Sequence, residues 1–235
     1  MNTKHSAQAN SRLEAIISLV RMSIKKSYLG IYNGFQLMGW GYILSLYILE
    51  SSFKRKWFEL SVQVDIFLRL FQSLAVVEII HSAVGLVRSS VMTTMLQVSS
   101  RLLVVWGILY MVPEVARDNL GVPLIVISWS IAEMIRYSYY VADICRVKLN
   151  LLTWLRYSGF MILYPTGISG EVLLIVSGIK RLRETEQYSF DLPNALNCSL
   201  SYWFAFAAIL ITYIPGKLSL RHNSFLKVQR QCTLT

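Results

Sequence analysis

The chain has 235 residues, of which 54% are hydrophobic and only 15% charged, and its formal net charge is +10. With a mean hydropathy of +0.48, this composition excludes an ordinary soluble domain and points to one membrane domain. The positive excess reads as basic loops against an anionic cytoplasmic leaflet, so no nucleic-acid partner is expected.

Residues 1–27 are polar and of mixed charge, without the apolar core of a signal peptide, so insertion is expected to come from an internal span. They read as a cytoplasmic tail with basic residues at Lys4, Arg12, Arg21, Lys25 and Lys26. An amphipathic patch at Leu13, Ile16, Ile17 and Val20 suits a membrane surface. A first span is predicted over 28–49, opening on the aromatic-rich Y-L-G-I-Y-N-G-F-Q-L-M-G-W, and a charged loop follows with Lys54, Arg55, Lys56, Glu59 and Asp65. The second span, 66–87, carries Arg69, Gln72, Glu78 and His81, a polar load that must face protein or water. Glu78 and His81 lie three residues apart on one helical face. A carboxylate-bridged metal site would need more carboxylates and a second His-bearing helix, so they are expected to form a buried hydrogen-bonded pair.

The polar run S-S-V-M-T-T-M-L-Q-V-S-S-R leads into a third span ending near residue 112, and Gln97 and Arg101 share a face one turn apart. Pro113 stops that span. The fourth, 122–140, ends in E-M-I-R-Y-S-Y-Y, where Glu133 and Arg136 are spaced to pair. The fifth runs from about 154 to 179, and the sixth, 200–214, closes at Pro215 and Gly216 before a basic tail over 215–235. The expected fold is therefore all-α: a polytopic bundle of about six transmembrane helices over 28–214. The side holding both tails has thirteen Lys/Arg (with Arg88, Arg101, Arg146 and Lys148), and the other has seven, which places both termini in the cytoplasm.

Chemistry concentrates in the fifth span, W-L-R-Y-S-G-F-M-I-L-Y-P-T-G-I-S-G-E over 154–171. Tyr164 and Glu171 are seven residues apart, close to two helical turns, so they face the same side at a separation of about 10 Å. Pro165, Gly167 and Gly170 are expected to loosen the hydrogen-bond ladder between them. The alternative is a kinked span with an interfacial tyrosine and a snorkelling glutamate. Cys145, Cys198 and Cys232 and the three histidines are dispersed, so neither a disulfide framework nor a zinc site is indicated. There is no G-x-G-x-x-G, G-x-x-x-x-G-K, G-x-S-x-G or H-E-x-x-H, and no cysteine is followed at the sixth position by arginine. Dinucleotide, nucleotide, hydrolase and cysteine-phosphatase chemistry lose support, and the acid/base pair remains.

Five stretches in order, Y-L-G-I-Y-N-G-F-Q-L-M-G-W, E-I-I-H-S-A-V-G-L-V-R-S-S, Q-V-S-S-R, E-M-I-R-Y-S-Y-Y and the fifth-span sequence above, resemble the very-long-chain (3R)-3-hydroxyacyl-CoA dehydratase family, once called protein tyrosine phosphatase-like. The resemblance covers about 28–214. It implies a six-span lyase of the endoplasmic reticulum membrane that removes water from long-chain 3-hydroxyacyl-CoA to give trans-2-enoyl-CoA, the third step of fatty-acid elongation. It further implies no cofactor and, as partners, membrane lipid and the condensing enzyme and reductases of the cycle. In the family's Y-P-x-G-x-x-x-E motif the tyrosine and glutamate are catalytic, which here are Tyr164 and Glu171. Its supporting positions fall on Glu78, Gln97, Arg101, Arg156 and Gly167. The chain ends without the dilysine retrieval tail of some members.

Dehydration needs a base for the C2 proton, an acid for the departing hydroxyl and stabilisation of enolate-like charge. Tyr164 and Glu171 supply two proton carriers, and the sequence leaves open which is base and which is acid. Arg88, Arg101, Arg146, Lys148 and Arg156 are candidates to hold the CoA phosphates. Competing readings are a catalytically silent scaffold of an elongase complex and a small transporter, whose broken helices in two matching halves are not evident.

Overall fold

The computed structural model describes residues 2–87, 89–147, 149–185, 189–190 and 200–201. These are helical apart from loops and one two-residue antiparallel pair, in which Ser189 lies opposite Ser201. Helix α1, Asn2–Lys54, is 53 residues long, or about 80 Å at the α-helical rise. Residues 2–29 contain neither proline nor glycine, and the helix runs without interruption across residue 27, where the sequence places the junction of tail and first span. Leu13, Ile16, Ile17 and Val20 are all exposed on this extension.

Helix α2, Val62–Leu74, is capped by Ser61, whose hydroxyl accepts the Val64 N–H at 3.2 Å. Ala75 separates it from α3, Val76–Ala83, and Gly85, at a φ of 73°, takes the left-handed conformation that ends that helix. Helix α4, Val91–Leu102, passes into a π-helical stretch, Leu103–Tyr110, before Pro113. Helices α5, Gly121–Ile144, and α6, Asn150–Thr185, complete the bundle. In the loop after α1, Lys56 and Glu59 pair at 2.6 Å, and their hydrogen bond holds the ammonium above and the carboxyl below their ordinary values.

Among the described residues, three helices are long and apolar enough to cross a membrane: Val62–Ala83, Val91–Tyr110 and Met161–Thr185. The first joins α2 and α3 and starts four residues before the predicted second span. The last starts seven residues later than the fifth span predicted from 154. Helices α1 and α5 are also long, but they carry polar residues that the structure turns inward: Asn33, Gln36, Ser128, Ser130 and Glu133 are buried. The predicted sixth span lies outside the described residues except for Leu200 and Ser201. On the outside, Ile31, Met38, Met161 and Ile162 are each about 70% exposed, a coat that suits hydrocarbon rather than water.

Helix α5 packs most extensively on α6 and next on α1. Two glycines make the α5–α6 approach possible. A Cβ on Gly170 would lie 2.8 Å from Leu124 Cβ and 3.0 Å from the Gly121 carbonyl, and one on Gly121 would lie 2.8 Å from the Gly170 carbonyl. The backbones touch there as small-residue contacts allow between membrane helices. Around this contact lie Ile108, Ile125, Trp129, Leu174 and Ile175, all buried.

Candidate active site

Pro165 does not break α6, which is helical on both sides of it. The predicted loosening is met locally: proline removes an N–H donor, while hydroxyls bond back to carbonyls around it. Thr166 donates to Ile162 and Leu163 at 3.0 Å each, and Ser169 donates to the Pro165 carbonyl at 2.8 Å. Tyr164, Gly167 and Glu171 consequently stay in helical register on one face. Tyr164 is half-buried and Glu171 is only 2% exposed.

That face meets α5 at Ser128 and Trp129. The Trp129 indole N–H donates to Glu171 Oε1 at 3.1 Å. Gly167 packs beside both residues: a Cβ there would stand tight against Ser128 Oγ, at 3.2 Å, and at ordinary contact distance, 3.6 Å, from both Cδ1 and Nε1 of Trp129. Arg101 of α4 lies over the same indole, its guanidinium carbon 5.3 Å from the ring centre.

Behind the indole runs a buried charge network. Arg101 pairs with Glu133. Arg136 donates to Glu133 Oε2 at 2.7 Å and to the two Glu78 oxygens at 2.6 and 2.8 Å, and the Tyr137 hydroxyl also bonds Glu78. Two arginines and two carboxylates balance, and each charge has a partner, as burial requires. Trp129, Glu133, Arg136 and Tyr137 are spaced to share one face of α5, so a single helix carries the indole and the centre of the network. The contacts tie α3, α4, α5 and α6 together.

The predicted Glu133–Arg136 pair is present. The predicted Glu78–His81 pair is not: Glu78 turns to Arg136, while His81 Nε2 meets the Tyr28 hydroxyl at 2.9 Å and its ring sits edge-on to Tyr28 and Tyr32. A strong bidentate arginine partner on α5 outcompetes the one-turn neighbour. Among the described residues no group of three His, Cys, Asp or Glu is placed to hold a metal ion. Gln97 is exposed, one turn from the buried network that Arg101 joins. Arg156, near the start of α6, stacks on Tyr139 at 4.3 Å and Tyr140 at 5.5 Å. Arg146 is exposed in the α5–α6 turn, and Arg88 and Lys148 lie outside the described residues.

Two cavities sit toward opposite ends of the bundle. One, of about 270 Å³, is lined by Tyr139, Asp143, Val147, Asn150 and Thr153 at the α5–α6 turn, next to the Arg156 stack. The other, of about 520 Å³, is lined by Tyr47, Glu50, Lys54, Asp65 and Arg117, among others. Neither includes Tyr164 or Glu171. Sequence reasoning gave Trp129 no role, although its spacing from Glu133 and Arg136 was the signal that could have found it.

The described residues thus form a helical bundle, with helices apolar and long enough to cross a membrane, that sets a buried carboxylate and a phenol on one helix face beside two arginine–glutamate pairs. The sequence matches the protein tyrosine phosphatase-like family, PTPLA, over residues 72–234, and the chain belongs to that family. It is 39% identical over 196 residues to the very-long-chain (3R)-3-hydroxyacyl-CoA dehydratase hpo-8 of Caenorhabditis elegans, covering 83% of this chain and 89% of that protein. It is 41% identical to PASTICCINO 2 of Arabidopsis thaliana (82% and 87% covered) and 38% identical to dehydratase 2 of Homo sapiens (80% and 74% covered), both named for the same activity. No solved structure matches the chain.

Proposed function

We propose that this protein is a very-long-chain (3R)-3-hydroxyacyl-CoA dehydratase, a hydro-lyase of fatty-acid elongation. The observation that carries the reading is the burial of Glu171 on the face it shares with Tyr164, within an intact Y-P-T-G-I-S-G-E. The names of the relatives support the reaction and favour catalysis over a silent scaffold.

Glu171 and Tyr164 are the catalytic pair. An indole N–H can only donate, so Glu171 Oε1 acts as acceptor toward Trp129, and we assign the carboxylate as the base that takes the C2 proton. The C2–H electrons form the C2=C3 double bond, the C3–O bond breaks, and the Tyr164 phenol protonates the leaving hydroxyl, which departs as water. The elimination requires no redox or group-carrying cofactor. Glu78 and Arg101 support the site from within the charge network rather than by touching substrate, and Gly167 packs beside the indole. Arg156, beside the α5–α6 cavity, is placed to meet CoA phosphates. Gln97 is exposed on α4, one turn before Arg101.

The polar residues of α1 and α5 face inward, which supports counting 28–49 and 122–140 as spans beside the three apolar helices. With 200–214 that makes six, with both termini in the cytoplasm. Residues 28–214 then form the catalytic domain between two tails, in the endoplasmic reticulum membrane, serving the condensing enzyme and reductases of the cycle. Purified protein given a long-chain 3-hydroxyacyl-CoA should form the enoyl-CoA. Tyr164→Phe and Glu171→Gln should each lower kcat by about 100-fold or more, the scale of a lost general acid or base. Full turnover by both variants refutes the pair, and no turnover by the parent on any chain length refutes the enzyme.

A further inference from the structure

We propose that Trp129 is a positioning residue for the dehydration: its indole, packed beside Gly167, fixes the Glu171 carboxylate by donating its N–H to Oε1. The inference rests on the catalytic reading of Glu171 given above. Three observations carry it. First, the indole and the carboxylate are both 2% exposed and meet at 3.1 Å, so the bond forms away from water. Second, the packing belongs to the motif that carries the pair: Gly167 lies one turn before Glu171, and a Cβ there would stand at ordinary contact distance, 3.6 Å, from Cδ1 and Nε1 and tighter, at 3.2 Å, against Ser128 Oγ of the residue before Trp129. Third, the ring is held from another helix, because Arg101 lies over it at 5.3 Å and is itself anchored on Glu133.

This arrangement gives the charge network a purpose beyond packing. A glutamate side chain has rotatable bonds that a proton-transfer step must restrain, and a misplacement of about 1 Å in a reacting group can cost about 100-fold in rate. A buried indole packed beside Gly167 and beneath Arg101 is a rigid donor at a fixed point. Trp129→Phe keeps an aromatic ring beneath Arg101 and removes the donor together with part of the indole.

The test is a double-mutant cycle in single-turnover mode, with enzyme in excess so that slow variants remain measurable. Trp129→Phe is expected to lower the elimination rate about 10- to 100-fold, with KM for 3-hydroxyacyl-CoA within about twofold of the parent. Combined with Glu171→Gln, it should cost no further rate, because the group it positions is gone. Gly167→Ala, whose added methyl crowds Ser128 Oγ next to Trp129 at 3.2 Å, should lower the rate by a smaller factor and serves if Trp129→Phe fails to fold. Additive losses in the two backgrounds, or a loss confined to KM, overturn the proposal while leaving Glu171 catalytic. Parent-like turnover by Glu171→Gln overturns both the proposal and the reading beneath it.

Discussion

At the scale of single residues, the charges inside this bundle are held by geometry that leaves little slack. Glu133 is the shared acceptor of Arg101 and Arg136, so Glu133→Ala strips the half-buried Arg101 of its carboxylate while Arg136 keeps Glu78. The expected cost is about 1.5–3 kcal/mol, that of losing a charged hydrogen-bond partner, read as a drop in melting temperature in detergent. Glu133→Gln, which keeps an acceptor oxygen, should lose less. Half of this arrangement is legible in the sequence. Glu133 and Arg136 are three residues apart and one helix suffices to pair them, whereas Arg101 is 32 residues and Glu78 is 58 residues from its partner. Spacing along a helix says nothing about partners on another helix, which is why Glu78 was read as belonging with His81.

Among elements, α6 departs most from its expected form. Proline and two glycines predict a loosened span, yet the helix is continuous on both sides of Pro165. The glycines serve packing instead. Gly170→Ala places a methyl 2.8 Å from Leu124 Cβ and 3.0 Å from the Gly121 carbonyl, backbone and near-backbone atoms that cannot swing aside. Its expected cost is about 1–3 kcal/mol, measured as a fall in thermal midpoint. Ser169→Ala, on the exposed side, should change the midpoint much less. Helix α1 shows the converse limit of sequence reading. A change from polar to apolar composition near residue 27 suggests a tail and a span, but composition reports solvent, and a helix can pass from one solvent to another without a break.

For the whole molecule, membrane character is legible from composition, while among the described residues three helices are plainly apolar. The polar faces of α1 and α5 dilute their hydropathy because those faces line the interior. The proposed topology puts the α5–α6 turn in the cytoplasm, where Cys145 is exposed. In sealed microsomes of protein lacking Cys198 and Cys232, a membrane-impermeant maleimide should label Cys145, and should fail to label a cysteine placed at Lys56 in a Cys145→Ser background. The reverse pattern would invert the topology. The contact of Gly121 with Gly170 has a further consequence at this scale. It lies next to Glu171, so the seam between α5 and α6 is shut immediately beyond the carboxylate. On the proposed reading, an acyl chain lying along α6 from the Arg156 end meets this backbone contact just past Glu171 and has to turn away from the α5–α6 seam.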